Sequence, residues 1–464
     1  MATSLTFIGG AGTVTGSKYL LTRENRRVLV DAGVFQGEKR FRELNWQPFP
    51  VPPASIDTIL VTHAHTDHVG YLPALVRDGF TGDILATEAT CELAEIVLRD
   101  AAFLAERDAA HAAERGYSKH TPPLPLFTTA DAERTLQQLR VIDYDTDVDL
   151  GAGWVARWTR AGHILGSASI RVTTPDASVL FSGDLGRAEH PVLRSREVPA
   201  GADTVLIEST YGNREHFEPD GAAHEPLADL VRRTARRGGS VLIPAFAVDR
   251  TEVVLQTLTL LLRDGRIPDL PVFVNSPMAL AALRVYRDRR FAGELRPDLD
   301  AASFVDLPHL REVRSTEESI QLNDPKMPCI IISSSGMATG GRVLHHLEHL
   351  LPDSRNAVVL AGYQAEGTRG RALLHGATHL KMHGRQVPVR AEVLQDEEFS
   401  VHADRSELLD WLAALSPAPS QVFTVHGTPE SASALAGEVT ARLGFPTRAA
   451  VLNETVELPA GGPS

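Results

Sequence analysis

The chain has 464 residues, 43% apolar and 23% charged, ordinary values for a globular protein with room for two or three domains. Its formal charge of −13 argues against a surface coated in basic patches for nucleic acid, although bound cations would add positive charge that a residue count omits. No apolar run nears the roughly 18 residues of a membrane span, and the N-terminus lacks a basic region ahead of an apolar core. Membrane and secreted classes are therefore not expected. The two cysteines, Cys91 and Cys329, have no metal-like spacing and suit a reducing cytoplasm.

Residues 4–36 read as strand, glycine-rich turn and strands: Leu5–Ile8, Gly9–Gly16, Lys18–Leu21 and Arg27–Val30. No helix pattern follows Gly9–Gly16, so it is a turn between strands rather than a dinucleotide-binding loop. Ile56–Thr62 is an apolar strand with a short loop after it. A helix starts at Val69–Val76, and residues 88–116 form a second until Thr121-Pro-Pro-Leu-Pro125 breaks it. Strands resume through 140–185, and Val205–Tyr211 is another. Near Gly212 the pattern changes. Helices at 223–237 and 250–264 alternate with strands at 240–246, 271–274, 329–332 and 358–361, which predicts a mostly parallel α/β sheet. Strand patterns return at 390–394 and 421–425, with helices around 408–415 and 434–443, and residues 459–464 read as a frayed tail.

The chemistry is concentrated in His63-Ala-His65-Thr-Asp67-His68. Three imidazoles and a carboxylate within six residues suit a borderline metal such as zinc. On an extended segment His63 and His65 point the same way and can hold one ion, while Asp67 and His68 can turn toward a second. A lone His163 and a lone Asp184 follow, each next to a glycine and near a β-rich run.

This HxHxDH pattern, with His163 and Asp184 downstream and Val28-Leu-Val-Asp31-Ala-Gly33 upstream, resembles the metallo-β-lactamase family. Asp31 is expected to orient a ligand rather than bind metal. The next His-Gly in a matching context is His426-Gly427, and the gap after Asp184 has the size of an inserted domain. Glu208-Ser-Thr-Tyr-Gly212, Ser400-Val-His402-Ala-Asp404 and Val425-His426-Gly427 resemble motifs A, B and C of the β-CASP branch. That resemblance implies an α/β architecture, an αββα metallo-β-lactamase sandwich with an inserted α/β β-CASP cap. Its expected parts are residues 1–212, a cap at 213–374, and a returning part at 375–464.

The resemblance also implies two Zn²⁺ ions per chain. His63, His65 and His163 would hold one, Asp67, His68 and His426 the other, and Asp184 would bridge them. It implies a zinc-dependent nuclease cutting single-stranded RNA by a two-metal hydroxide mechanism, leaving 5′-phosphate and 3′-hydroxyl ends. His402 is the expected general acid and Glu208 the partner that keeps it charged. A His at position 426 goes with RNA-acting branch members, a Val with DNA-acting ones. A DNA nuclease, a small-ester hydrolase and a non-catalytic RNA-binding scaffold are the alternatives, and a homodimer is the assembly the family suggests.

Two stretches are candidates for holding the phosphate backbone. Ser333–Arg342, with Ser335, Gly336, Met337 and Gly340, joins a strand to a helix where backbone N–H groups suit anions. Arg250, in Pro244–Arg250, is the best side-chain candidate. Asp249 and Asn275 depart from the family's usual glycine and aspartate. Arg232, Arg233, Arg236 and Arg237, and likewise His345, His346 and His349, read as helix faces rather than sites.

Overall fold

The computed structural model describes residues 2–114, 116, 122–216, 222–301, 304–362, 364–365 and 367–459. Thr121 of the expected helix break and residues 460–464 of the expected tail lie outside them. The chain divides into two compact units, Met1–Glu215 with Val401–Ser464, and His216–Ser400. Among the described residues no helix is long and apolar enough to cross a membrane.

The first unit is built on two seven-stranded sheets. One runs, in spatial order, Thr455–Glu457, Ser4–Phe7, Tyr19–Arg23, Arg26–Val30, Thr58–Leu60, Asp83–Thr87 and Leu139–Ile142. The other runs Thr447–Ala449, Gln421–Val425, Thr204–Glu208, Ser178–Phe181, Ala168–Thr173, Trp154–Arg160 and Val148–Gly151. Alternation along these strands sends Leu5, Phe7, Val28 and Val30 into one core with Trp158, Ile170, Phe181, Leu206 and Phe423. The second sheet's other face, with Leu180, Val205, Ile207 and Val422, is covered by Leu408, Leu412, Leu435 and Val439 from helices Arg405–Ala413 and Pro429–Leu443. Helices Leu72–Arg77 and Glu88–Glu114 bury Leu72, Leu75, Leu93 and Val97. Helices outside two packed sheets make the αββα sandwich expected from the sequence.

The second unit holds a six-stranded sheet in the order Leu310–Glu312, Val272–Val274, Ile330–Ser333, Val241–Pro244, Ala357–Leu360 and Glu392–Gln395. All its described pairings are parallel. Its core gathers Leu242, Ile331, Val343, Leu347, Val358 and Leu360. The return to the first unit comes at 401, not at 375. The reason is pairing: Glu392–Gln395 lies parallel to Ala357–Leu360, from Ala357 opposite Glu392 to Leu360 opposite Gln395. Glu392–Gln395 therefore belongs with the inserted sheet, and the chain as far as Ser400 with that compact unit.

Candidate metal centre

All seven residues expected to hold metal, and the expected acid pair, lie in the first unit. The strand Thr58–Leu60 delivers the chain to His63, and a short helix, Thr66–Val69, carries Asp67 and His68. Glycine makes this possible at Gly33, where an added Cβ would lie 1.6 Å from the Asp67 carbonyl oxygen. His163 and Asp184 follow strands Trp154–Arg160 and Ser178–Phe181. His426 follows Gln421–Val425, with a left-handed φ of 47°. Such a conformation is uncommon outside glycine and concentrates at functional sites.

The seven side chains fall into two sets. His63 Nε2 and His163 Nε2 each lie 3.2 Å from His65 Nδ1, and 3.6 and 3.7 Å from Asp184 Oδ2. In the second set His426 Nε2 is 3.3 Å from Asp67 Oδ2, and His68 Nε2 is 3.3 Å from Asp184 Oδ1. The ligand atoms within each of the groups His63, His65, His163, Asp184 and Asp67, His68, His426 lie within 4.8 Å of one another. Asp184 thus turns one oxygen toward each set, as a bridging carboxylate would.

The donor set fits a pair of cations. His68 Nε2 and Asp184 Oδ1 are buried and make no hydrogen bond among the described residues. A buried polar atom left unpaired is costly, and a cation between these two would satisfy both. Burial, the largest influence, holds His63 and His163 well below the ordinary imidazole pKa and lowers His65 as well. Neutral imidazole is the form that offers a lone pair to metal, as at these three; at His68 and His426 burial acts the same way but nearby carboxylates, Asp184 first, outweigh it and raise the pKa.

A surrounding layer of hydrogen bonds fixes the rings. Asp31, expected to orient a ligand, accepts from Thr62 N and Thr62 Oγ1 at 2.8 Å, and its Oδ2 is 2.8 Å from His68 Nδ1. That leaves His68 Nε2 facing Asp184. Thr210 Oγ1 donates to the His426 carbonyl at 3.2 Å and lies 3.1 Å from His426 Nδ1. Its hydroxyl proton is then committed, so its lone pair accepts from Nδ1–H and leaves Nε2 toward Asp67. Sequence reasoning missed Thr62 and Thr210. The available signal was position: Thr62 directly precedes His63, and Thr210 sits two residues after Glu208.

His402 stands beside the first set. Its ring centroid is 4.4 Å from that of His163 and 6.1 Å from Tyr211. Backbone contacts put it there: Arg187 N donates to Val401 O at 3.0 Å and Ala403 N to Leu185 O at 2.7 Å, tying 401–403 to the segment after Asp184. His402 Nδ1 is 3.2 Å from Glu208 Oε1. Glu208 is fully buried at the end of Thr204–Glu208 and also accepts from Leu185 N at 2.7 Å and Thr210 N at 3.3 Å. Burial alone would lower His402, but the charge and hydrogen bond of Glu208 outweigh it and raise the pKa above the ordinary value.

The five residues singled out for phosphate lie in the second unit. Strands Val241–Pro244 and Ile330–Ser333 are parallel neighbours, so the loops after them share one end of the sheet, where ligands of open α/β sheets bind. Gly336 O accepts from Gln364 Nε2 at 3.2 Å, Met337 O from Gly370 N at 3.1 Å, and Ser335 Oγ from Thr339 N at 3.0 Å. Gly340 is half-buried in the same loop. Arg250 differs from a free phosphate contact: it is 8% exposed, with Nη1 donating to Ala361 O at 3.0 Å.

Comparison with known proteins agrees with this architecture. The metallo-beta-lactamase superfamily model matches residues 11–245, the Beta-Casp domain 251–373, and the Zn-dependent metallo-hydrolase RNA specificity domain 386–450. Ribonuclease TTHA0252 of Thermus thermophilus is 39% identical over 92% of this chain and 94% of its own length. Transcription termination factor FttA of Methanosarcina mazei is 32% identical over 98% of this chain and 71% of its own. An RNase J-like protein of Methanocaldococcus jannaschii is 28% identical over 96% and 97%. A crystal structure of a protein of unknown function from Enterococcus faecalis shares the fold, with TM-score 0.51 and 12% identity over 98% of this chain and 100% of that one. The chain belongs to the metallo-β-lactamase superfamily, in its β-CASP branch.

Proposed function

We propose that this protein is a zinc-dependent ribonuclease that hydrolyses phosphodiester bonds of single-stranded RNA, leaving 5′-phosphate and 3′-hydroxyl ends, in RNA processing or decay. The observation that carries the reading is the sharing of Asp184 between two ligand sets, with the Glu208-held His402 beside them. In this reading His63, His65, His163 and Asp184 hold one ion, and Asp67, His68, His426 and Asp184 the other. When bound, such paired ions activate water and take up charge developing on phosphoryl oxygens. His402 gives its proton to the leaving 3′ oxygen from Nε2, because Nδ1 is engaged by Glu208. Leu185 N–H and Thr210 N–H fix the Glu208 carboxylate, so the imidazole keeps one orientation. The Ser335–Gly340 loop and Arg250 are assigned to the RNA backbone, Arg250 after leaving its contact with Ala361.

RNA is favoured over DNA by His426 and by the ribonuclease names of the relatives. A cytoplasmic location belongs to the same proposal and suits the free thiols Cys91 and Cys329. So does the family's homodimer, which light scattering tests. The reading is tested by cleavage of labelled single-stranded RNA against matched single-stranded DNA, with the product ends mapped. RNA fragments with 5′-phosphate are expected. Cleavage of the DNA alone would move the assignment to a DNA nuclease, and RNA binding without cleavage by zinc-loaded protein would move it to a scaffold.

A further inference from the structure

The second unit carries a different set of metal-type donors. Helix Arg342–Leu350 presents His345 and Glu348 one turn apart. Strands His379–Met382 and Arg385–Pro388 form a hairpin whose two-residue loop is His383-Gly384, with Met382 opposite Arg385. The loop brings His383 to the helix. His383 Nδ1 is 2.9 Å from Glu348 Oε2, and the His345 and His383 rings stack at 4.5 Å between centroids and 22° between planes. One donor atom from each of the three lies within 4.8 Å of the others.

We propose that His345, Glu348 and His383 bind a further divalent transition ion, zinc or its nickel and cobalt analogues. Two imidazoles and a carboxylate match the borderline character of these ions, and three protein donors leave a fourth position to water. Two ligands about 2.1 Å from one tetrahedrally coordinated ion lie about 3.4 Å apart, so the 2.9 Å hydrogen bond between His383 Nδ1 and Glu348 Oε2 has to open by about 0.5 Å to admit the ion.

The turn is what carries His383 to the helix. His383 has φ of 46° and Gly384 of 80°, so both loop residues are left-handed. Asparagine or aspartate before glycine is the usual choice there, and histidine is accepted at some strain. What histidine adds is a ring that reaches Glu348. The ion would also pin a two-stranded hairpin, marginal by itself, to the helix beneath it. The hairpin supplies Leu380, Met382 and Val387 to the core of this unit, so the pin has a structural use. The guanidinium of Arg385, 81% exposed and 3.9 Å from Glu348 Oε1, is the competing cation. With Arg385 in solvent and the two charges 3.9 Å apart the pair adds little and yields to a metal, although Glu348 itself is only 18% exposed.

The test compares metal content of the full chain and two variants after dialysis against micromolar zinc, and again against nickel. His383→Asn keeps a favoured turn residue, and His345→Gln keeps a good helix former on an exposed face. The expected result is one ion fewer per chain in each variant than in the unsubstituted protein, or at least a tenfold weaker site, with RNA cleavage and the remaining ions unchanged. Equal metal content in all three would overturn the proposal and leave the trio a hydrogen-bonded surface cluster.

Discussion

Thr210 does more than its place in a motif announces. Its single hydroxyl links the backbone and ring of His426, while its N–H serves Glu208. Removing such a partner typically weakens a metal site about 10–100-fold. Thr210→Val should do so, while Thr210→Ser should not, as read by competition with a chromophoric chelator; equal affinity in both variants would contradict the role. His346 gives a second case. It is buried, 2.6 Å from Asn275 Nδ2, with Nδ1 2.8 Å from Asn323 Oδ1. Burial, then the nearby His345, His349 and Arg342, pushes its pKa down to about 4. Below pH ~6.5 the unfolded chain binds a proton that the folded chain refuses, so stability drops as pH falls from ~6.5 to ~4, by on the order of 3 kcal/mol. Asn275→Asp should raise the imidazole pKa and shrink that loss, read as melting temperature between pH 7 and 5. An unchanged acid limb would contradict it. The expectation that His345, His346 and His349 share a helix face holds only in part. A step of one residue turns about 100° around a helix, which separates buried His346 from exposed His345.

The segments around Asp184 show how strands and turns set the centre. Gly186 N donates to Ala161 O, and a Cβ on Gly186 would fall 1.8 Å from the Gly162 carbonyl oxygen. The turns carrying Asp184 and His163 therefore touch backbone to backbone. Gly186→Ala should force them apart, lowering stability by about 1–3 kcal/mol and reducing bound zinc; a variant with the original melting temperature and zinc content would show the contact is slack. The cluster of candidate ligands is legible because the pattern is local: His63, His65, Asp67 and His68 fall within six residues, and His163, Asp184 and His426 each sit beside glycine. Thr62 and Thr210 were not, since a threonine at a strand end is commonplace and only the fold says which ring it meets. Arg250 was legible as an arginine where a loop meets a helix, but its burial against Ala361 depends on a strand 107 positions further on, Ala357–Leu360 counted from Arg250.

Across the whole chain, strand and helix patterns announced a sandwich interrupted by a parallel α/β unit, and the two compact units bear this out. What periodicity could not give was the partner of Glu392–Gln395. A strand pattern looks the same whichever sheet it joins, so periodicity alone does not show that Glu392–Gln395 pairs with Ala357–Leu360 and that the second compact unit runs to Ser400, past the expected boundary at 374. The charge of −13 makes sense beside this division: a pair of bound cations would put positive charge where a phosphate is cut, which the formal count omits. In the proposed mechanism the chain supplies the leaving-group proton through His402 while other residues hold the metal. The direct test is His402→Ala, with zinc content and single-stranded RNA cleavage measured on the same sample. Zinc equal to the unsubstituted protein with a rate lower by about 10²–10⁴-fold is the expected result. Full zinc with an undiminished rate would contradict the account.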